Sequence, residues 1–164
     1  MEDHGGDYML YTDIPFKVLQ EEWNTYLLED GSVIRARAVL LKVRVWPADR
    51  DAMLRVSLDV QRIFVVSAPN ELRWRPTEPP TEEEIMSSAR HGLAVRVVKG
   101  DERYNVYKIL PRGVVFKTKL IASDMAFRLP RYDSDGQPVY VLGTTLAVMT
   151  PPRVGMGPSF MSVF

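Results

Sequence analysis

Polar and apolar residues alternate along most of this chain, with the period of two that belongs to half-buried β-strands. Val33 to Trp46 starts with Arg35 and Arg37 on one face and turns almost continuously apolar after Ala38. That is the pattern of a strand covered on both sides. Met53 to Ala68 places Leu54, Val56, Leu58 and Val60 inward, with Arg55, Ser57, Asp59 and Gln61 outward. The phase slips near Arg62, so that Ile63 and Val65 continue the inward face, and this predicts a β-bulge at Arg62. Glu29-Asp30-Gly31-Ser32 reads as a tight turn before the first long strand, and Pro47 to Asp51 as the turn between the two.

Between Ile14 and Leu28 two periods compete. Phe16, Leu19, Trp23, Tyr26 and Leu27 recur at helical spacing, whereas Phe16–Leu19 and Trp23–Leu28 also read as two short strands. A second stretch decides for strands. Val95–Val98 is β-branched and is followed by Lys99-Gly100-Asp101-Glu102, hairpin-turn chemistry, before Tyr104. Tyr104–Ile109, Val114–Phe127 and Val139–Met149 then repeat the short-long-long order. Trp23, Asn24 and Tyr26 match Tyr104, Asn105 and Tyr107, and Gly31, Val33, Arg35 and Arg37 match Gly113, Val115, Lys117 and Lys119. Val56, Leu58 and Ile63 match Val139, Val141 and Leu146. A match across several elements is the mark of a repeated architecture.

The expectation is an all-β fold of two tandem four-stranded modules, about eight strands arranged as two meanders. They would close into a barrel or stack as a sandwich with a pseudo-twofold relation, which hides sheet edges. Residues 1–13 form an amino-terminal arm with Tyr8, Leu10 and Tyr11 as anchors. Residues 14–70 form the first module, 71–92 a linker, 93–152 the second module, and 153–164 an apolar tail. Within the linker Thr81-Glu82-Glu83-Glu84 is a capping box, so one short helix is expected near residues 82–90, closed by Gly92. Asp133-Ser134-Asp135-Gly136 mimics a calcium loop, but Thr144 stands where the loop needs a glutamate, so it reads as a turn.

Composition changes the functional picture more than the fold. The chain has no cysteine and two histidines, which removes thiolate chemistry, disulfides and histidine-rich metal sites. No cofactor is indicated, and no serine-histidine machinery or phosphate-cradling glycine loop is present. No apolar run reaches the ~20 residues of a membrane helix, and the acidic start has no signal-peptide core, which points by default to the cytoplasm. Arginine outnumbers lysine 15 to 6 beside 12 prolines, a lean toward a heat-adapted source. Formal charge is zero, yet residues 1–32 hold eight acids and one base, while residues 33–75 and 102–131 are each basic.

Two sets of residues therefore carry the functional expectations. Arg35 and Arg37, like Lys117 and Lys119, lie two apart on a strand and point the same way, ~6.8 Å apart. With Trp23, Asn24, Tyr104 and Asn105 nearby, they form a candidate grip for phosphates or bases. The plainer reading makes the cations a solvated face paired with the acids of residues 1–32, and the aromatics core. The tail residues Met156, Phe160, Met161 and Phe164 are too apolar for a free end and read as an assembly surface. The leading expectation is a non-catalytic module that binds protein, first of all copies of itself. The alternatives are an anionic-ligand or nucleic-acid binder on the basic strands, and an enzyme with a carboxylate, lysine or tyrosine site between the modules.

Overall fold

Two long hairpins, one in each half of the chain, frame the fold of the computed structural model, which describes residues 11–46, 55–110, 112–149 and 161–163. The strands are β1 (Thr12–Ile14), β2 (Phe16–Gln20), β3 (Asn24–Leu28), β4 (Val33–Trp46), β5 (Arg55–Ser67), β6 (Leu93–Asp101), β7 (Tyr104–Ile109), β8 (Val114–Tyr132), β9 (Pro138–Met149) and β10 (Met161–Val163). Antiparallel pairing joins β4 to β5 from Val33↔Ser67 to Trp46↔Arg55, and β8 to β9 from Lys117↔Met149 to Tyr132↔Pro138. The all-β expectation holds, with ten strands among the described residues instead of about eight.

The pairing departs from two separate meanders. β2 pairs with β7, and β6 pairs at its start with β8 and at its end with β3. The sheet is not closed into a barrel either. Its ladder path runs β1-β4-β3-β6-β8-β7-β2, with β5 beside β4 and β9 beside β8. The ends of that path, β1 and β2, are joined by the chain at Pro15, a residue without the N–H that a ladder needs. One core lies between the hairpins around Tyr26, Ile34, Leu120 and Leu142, and a second lies around Leu40, Val43, Tyr107 and Phe116.

The predicted bulge exists but on the other strand. Pairing jumps from Leu40↔Val60 to Lys42↔Asp59, which leaves Leu41 of β4 as the extra residue, 47% exposed. β5 keeps its phase: Phe64 and Val66 pack on the core, while Ile63 and Val65 are exposed. The continuous apolar run of β4 hides the slip, because either neighbour of Leu41 is apolar enough to be inward. Arg62 consequently holds an inward, half-buried position, and burial lowers its pKa.

The linker forms two short helices, α1 (Glu82–Met86) and α2 (Ser88–His91), where one was expected. Thr81 caps α1, its hydroxyl accepting the Glu84 N–H at 3.2 Å. The helix breaks at Ser87, in a non-helical conformation, and serine is a residue that favours such breaks. The Asp133–Gly136 segment is the hairpin turn: Asp133 Oδ1 accepts the N–H groups of Asp135 and Gln137, and Gly136 has φ +79. A Cβ on Gly136 would lie 2.5 Å from the Trp74 carbonyl, so the linker and this turn touch backbone to backbone.

Candidate functional site

On the flank of β4 opposite β5, pairing with β3 ends at Ala36 and pairing with β1 begins at Val43. On β8, pairing with β7 ends at Lys119 and pairing with β6 begins at Met125. Backbone groups in those two gaps need other partners, because unpaired buried peptide groups are costly. Side chains take the place of the missing ladder. Asn105 donates to the Ala38 carbonyl at 3.2 Å, and Glu21 Oε2 accepts the Leu40 N–H at 3.3 Å. In the other gap Asn24 donates to the Leu120 carbonyl at 2.8 Å, and Glu102 Oε2 accepts the Ala122 N–H at 2.8 Å.

A tyrosine completes each clamp. Tyr107 donates its hydroxyl to Glu21 at 2.8 Å, and Tyr26 donates to Glu102 at 2.8 Å. The asparagine carbonyl oxygens accept the N–H of Glu22 (to Asn105, 2.9 Å) and of Arg103 (to Asn24, 2.8 Å). Each clamp therefore joins residues from the two halves of the chain. Burial, and then the hydrogen bond to a carboxylate, pushes the pKa of Tyr26 and of Tyr107 well above the ordinary tyrosine value.

The eight residues singled out from the sequence fall into two groups, one per half. The Arg35 guanidinium stacks 4.7 Å from the centre of the Trp23 ring, and Arg37 lies 5.8 Å from it. Lys119 lies 4.8 Å and Lys117 5.8 Å from the centre of the Tyr104 ring. Trp23 is half-buried and Tyr104 is 40% exposed, so these two rings lie at the surface, whereas Tyr26 and Tyr107 of the same two motifs are core, as the plainer reading had it. Arg37 also pairs with Glu21 at 3.2 Å, the predicted use of the amino-terminal acids for one of the four cations, and Lys42, outside that set, pairs with Asp13 at 3.9 Å. Asn24 and Asn105 are buried and satisfy backbone, as a structural role requires.

Of the assembly-tail residues, Met156, Phe160 and Phe164 lie outside the described residues, as do Tyr8 and Leu10 of the arm. Met161 opens β10, whose backbone pairs with Thr145, Thr144 and Gly143 at the outer edge of β9. Tyr11 packs edge-on against Trp46, with ring centres 5.2 Å apart.

Sequence reasoning missed both clamp glutamates. A signal was there: Glu21 and Glu102 each precede the repeated asparagine by three residues. It also missed a polar node at the tight turn, where Tyr140 donates to Asp30 Oδ2 at 2.6 Å and Arg128 reaches the same oxygen at 3.1 Å. Burial alone would raise the pKa of Asp30, but bonds from Tyr140 and Ser32 and the charge of Arg128 outweigh it and hold the carboxyl below its usual range. Burial and the bond to Asp30 push Tyr140 up to about 12. Beside this node lies an apolar cavity of about 210 Å³, between β5, β9 and α1.

Among the described residues no group of three or more His, Cys, Asp or Glu side chains converges as a metal site. No helix among them is long and apolar enough to cross a membrane. No family model, curated protein or solved structure matches the chain.

Proposed function

We propose that this protein is a non-catalytic β-module that binds other protein chains, and first of all copies of itself, by extending its sheet. The observation that carries this reading is the outer edge of β5. That strand runs from Arg55 to Ser67, and among the described residues its only ladder is with β4. A long unpaired edge is a template for a further strand. The matching edge of β9 takes a strand, β10, and Ile63 and Val65 of β5 are 37% and 39% exposed. The frame itself reads as one unit doubled: each half lends a strand from before its long hairpin to the other, β2 to β7 and the end of β6 to β3, and the two clamps repeat.

Native mass spectrometry and light scattering test the reading. A dimer or larger species is expected, weakened by Ile63→Lys and by removal of residues 155–164. A monomer at high concentration, unaffected by either change, overturns it.

The two cation-aromatic groups favour a second reading, the binding of an anionic ligand or a nucleic-acid strand on Trp23 and Tyr104. It is the weaker one, because the cations already rest on the rings and Arg37 is paired. Retention of labelled single-stranded DNA on filters, falling with salt and lost in Arg35→Ala/Lys117→Ala, would establish it. Retention that ignores both would remove it.

A further inference from the structure

We infer that the cavity beneath α1 is a binding site for a small, uncharged, apolar molecule. Ile34, Phe64 and Val66 form one wall, Val139 to Leu142 of β9 the opposite wall, and Pro80 and Ile85 the roof. At about 210 Å³ it holds the volume of roughly seven liquid waters, in a pocket partly open to solvent. Water has little to bond there. Tyr140 is the one lining residue with a polar side chain, and its hydroxyl is engaged by Asp30 at 2.6 Å and Ser32 at 2.8 Å. An ionic or strongly polar occupant would find no counter-charge and lose its hydration. An apolar one gains dispersion contacts with the walls and takes its own surface, and theirs, out of water. Void volumes of this order take a single aromatic ring or a short alkyl chain.

The roof is mounted to open without disturbing the core. α1 has no buried residue. It is held by the Thr81 cap and by a two-pronged pair, Arg131 to Glu84 at 2.7 and 3.0 Å. That pair holds the pKa of Glu84 down at about 2, so the latch stays charged well into acid.

The experiment uses the full chain and 4-(dimethylamino)benzonitrile, a neutral one-ring dye that brightens in apolar surroundings. Saturable brightening, competed by toluene, is expected in the intact protein. Val66→Phe, which fills the cavity, should abolish it while leaving the urea midpoint unchanged or higher. Ile85→Phe, filling from the roof, is read in the same way should Val66→Phe fold poorly. Glu84→Gln should speed dye association several-fold. Absence of saturable brightening, or brightening that survives a filling variant with a native midpoint, overturns the inference. Brightening that appears only after residues 161–164 are removed also overturns it, since the chain's own end would then be the occupant.

Discussion

The two glutamate clamps are made of the same parts and are not equally supplied. Glu102 receives the Tyr26 hydroxyl and the Ala122 N–H, both at 2.8 Å, and among the described residues it has no ion-pair partner. Glu21 receives the Tyr107 hydroxyl at 2.8 Å but the Leu40 N–H only at 3.3 Å, and it meets Arg37 at 3.2 Å. Close neutral donors can hold a half-buried carboxylate at a gap in a sheet. Where the donors stand off, a cation makes up the difference. The asparagines follow suit: Asn24 bonds Leu120 at 2.8 Å and the Tyr26 hydroxyl at 3.0 Å, while Asn105 bonds Ala38 at 3.2 Å.

The sharpest way to break this comparison is to remove the asparagines. Asn24→Ala strands the buried Leu120 carbonyl and removes the acceptor of the half-buried Arg103 N–H, and should cost about 3 kcal/mol, with Asn105→Ala nearer 2 kcal/mol. Urea unfolding measures both, and equal losses would erase the distinction. Next come the hydroxyls. Tyr26→Phe takes from Glu102 a donor it has no cation to replace, about 2 kcal/mol, whereas Tyr107→Phe should cost about 1 kcal/mol because Arg37 stays on Glu21. Arg37→Met added to Tyr107→Phe should then restore the larger loss.

A further effect is the dependence on alkali. Folding raises the pKa of Tyr26, Tyr107 and Tyr140, so the folded chain prefers the neutral rings. Their contribution is complete below the ordinary tyrosine value of 10.0 and fades as pH rises, for Tyr140 through about 12. The urea midpoint should therefore fall above pH 10 and fall less steeply in Tyr140→Phe. A flat profile to pH 12 would show that these hydroxyls are not bound as described.

Much of the architecture was legible because a strand writes its two faces into alternate residues. The tight turn at Gly31, the cap at Thr81 and the Asp133–Gly136 turn are local chemistry, and each stands where the residues put it. Partner choice is not local. Nothing in Phe16–Gln20 distinguishes β3 as a neighbour from β7, because both offer an amphipathic edge. The bulge was placed on the wrong strand because one extra residue shifts the phase of two partners alike. The aromatic-cation grouping was visible as a spacing, yet exposure of Tyr104 was not, since ring burial depends on what crosses above it. The clamp glutamates looked like any charge at a turn; only the gap in the ladder shows why they are there.

The exchange of β2 and β6 between the halves sets a condition on how the chain is made. While it leaves the ribosome, Phe16–Gln20 has no ladder partner until Val106 to Ile109 have emerged, and β3 keeps one edge open until Val97 to Asp101 arrive. The amino-terminal half is thus made as a half-finished sheet whose open edges close only when the second half follows.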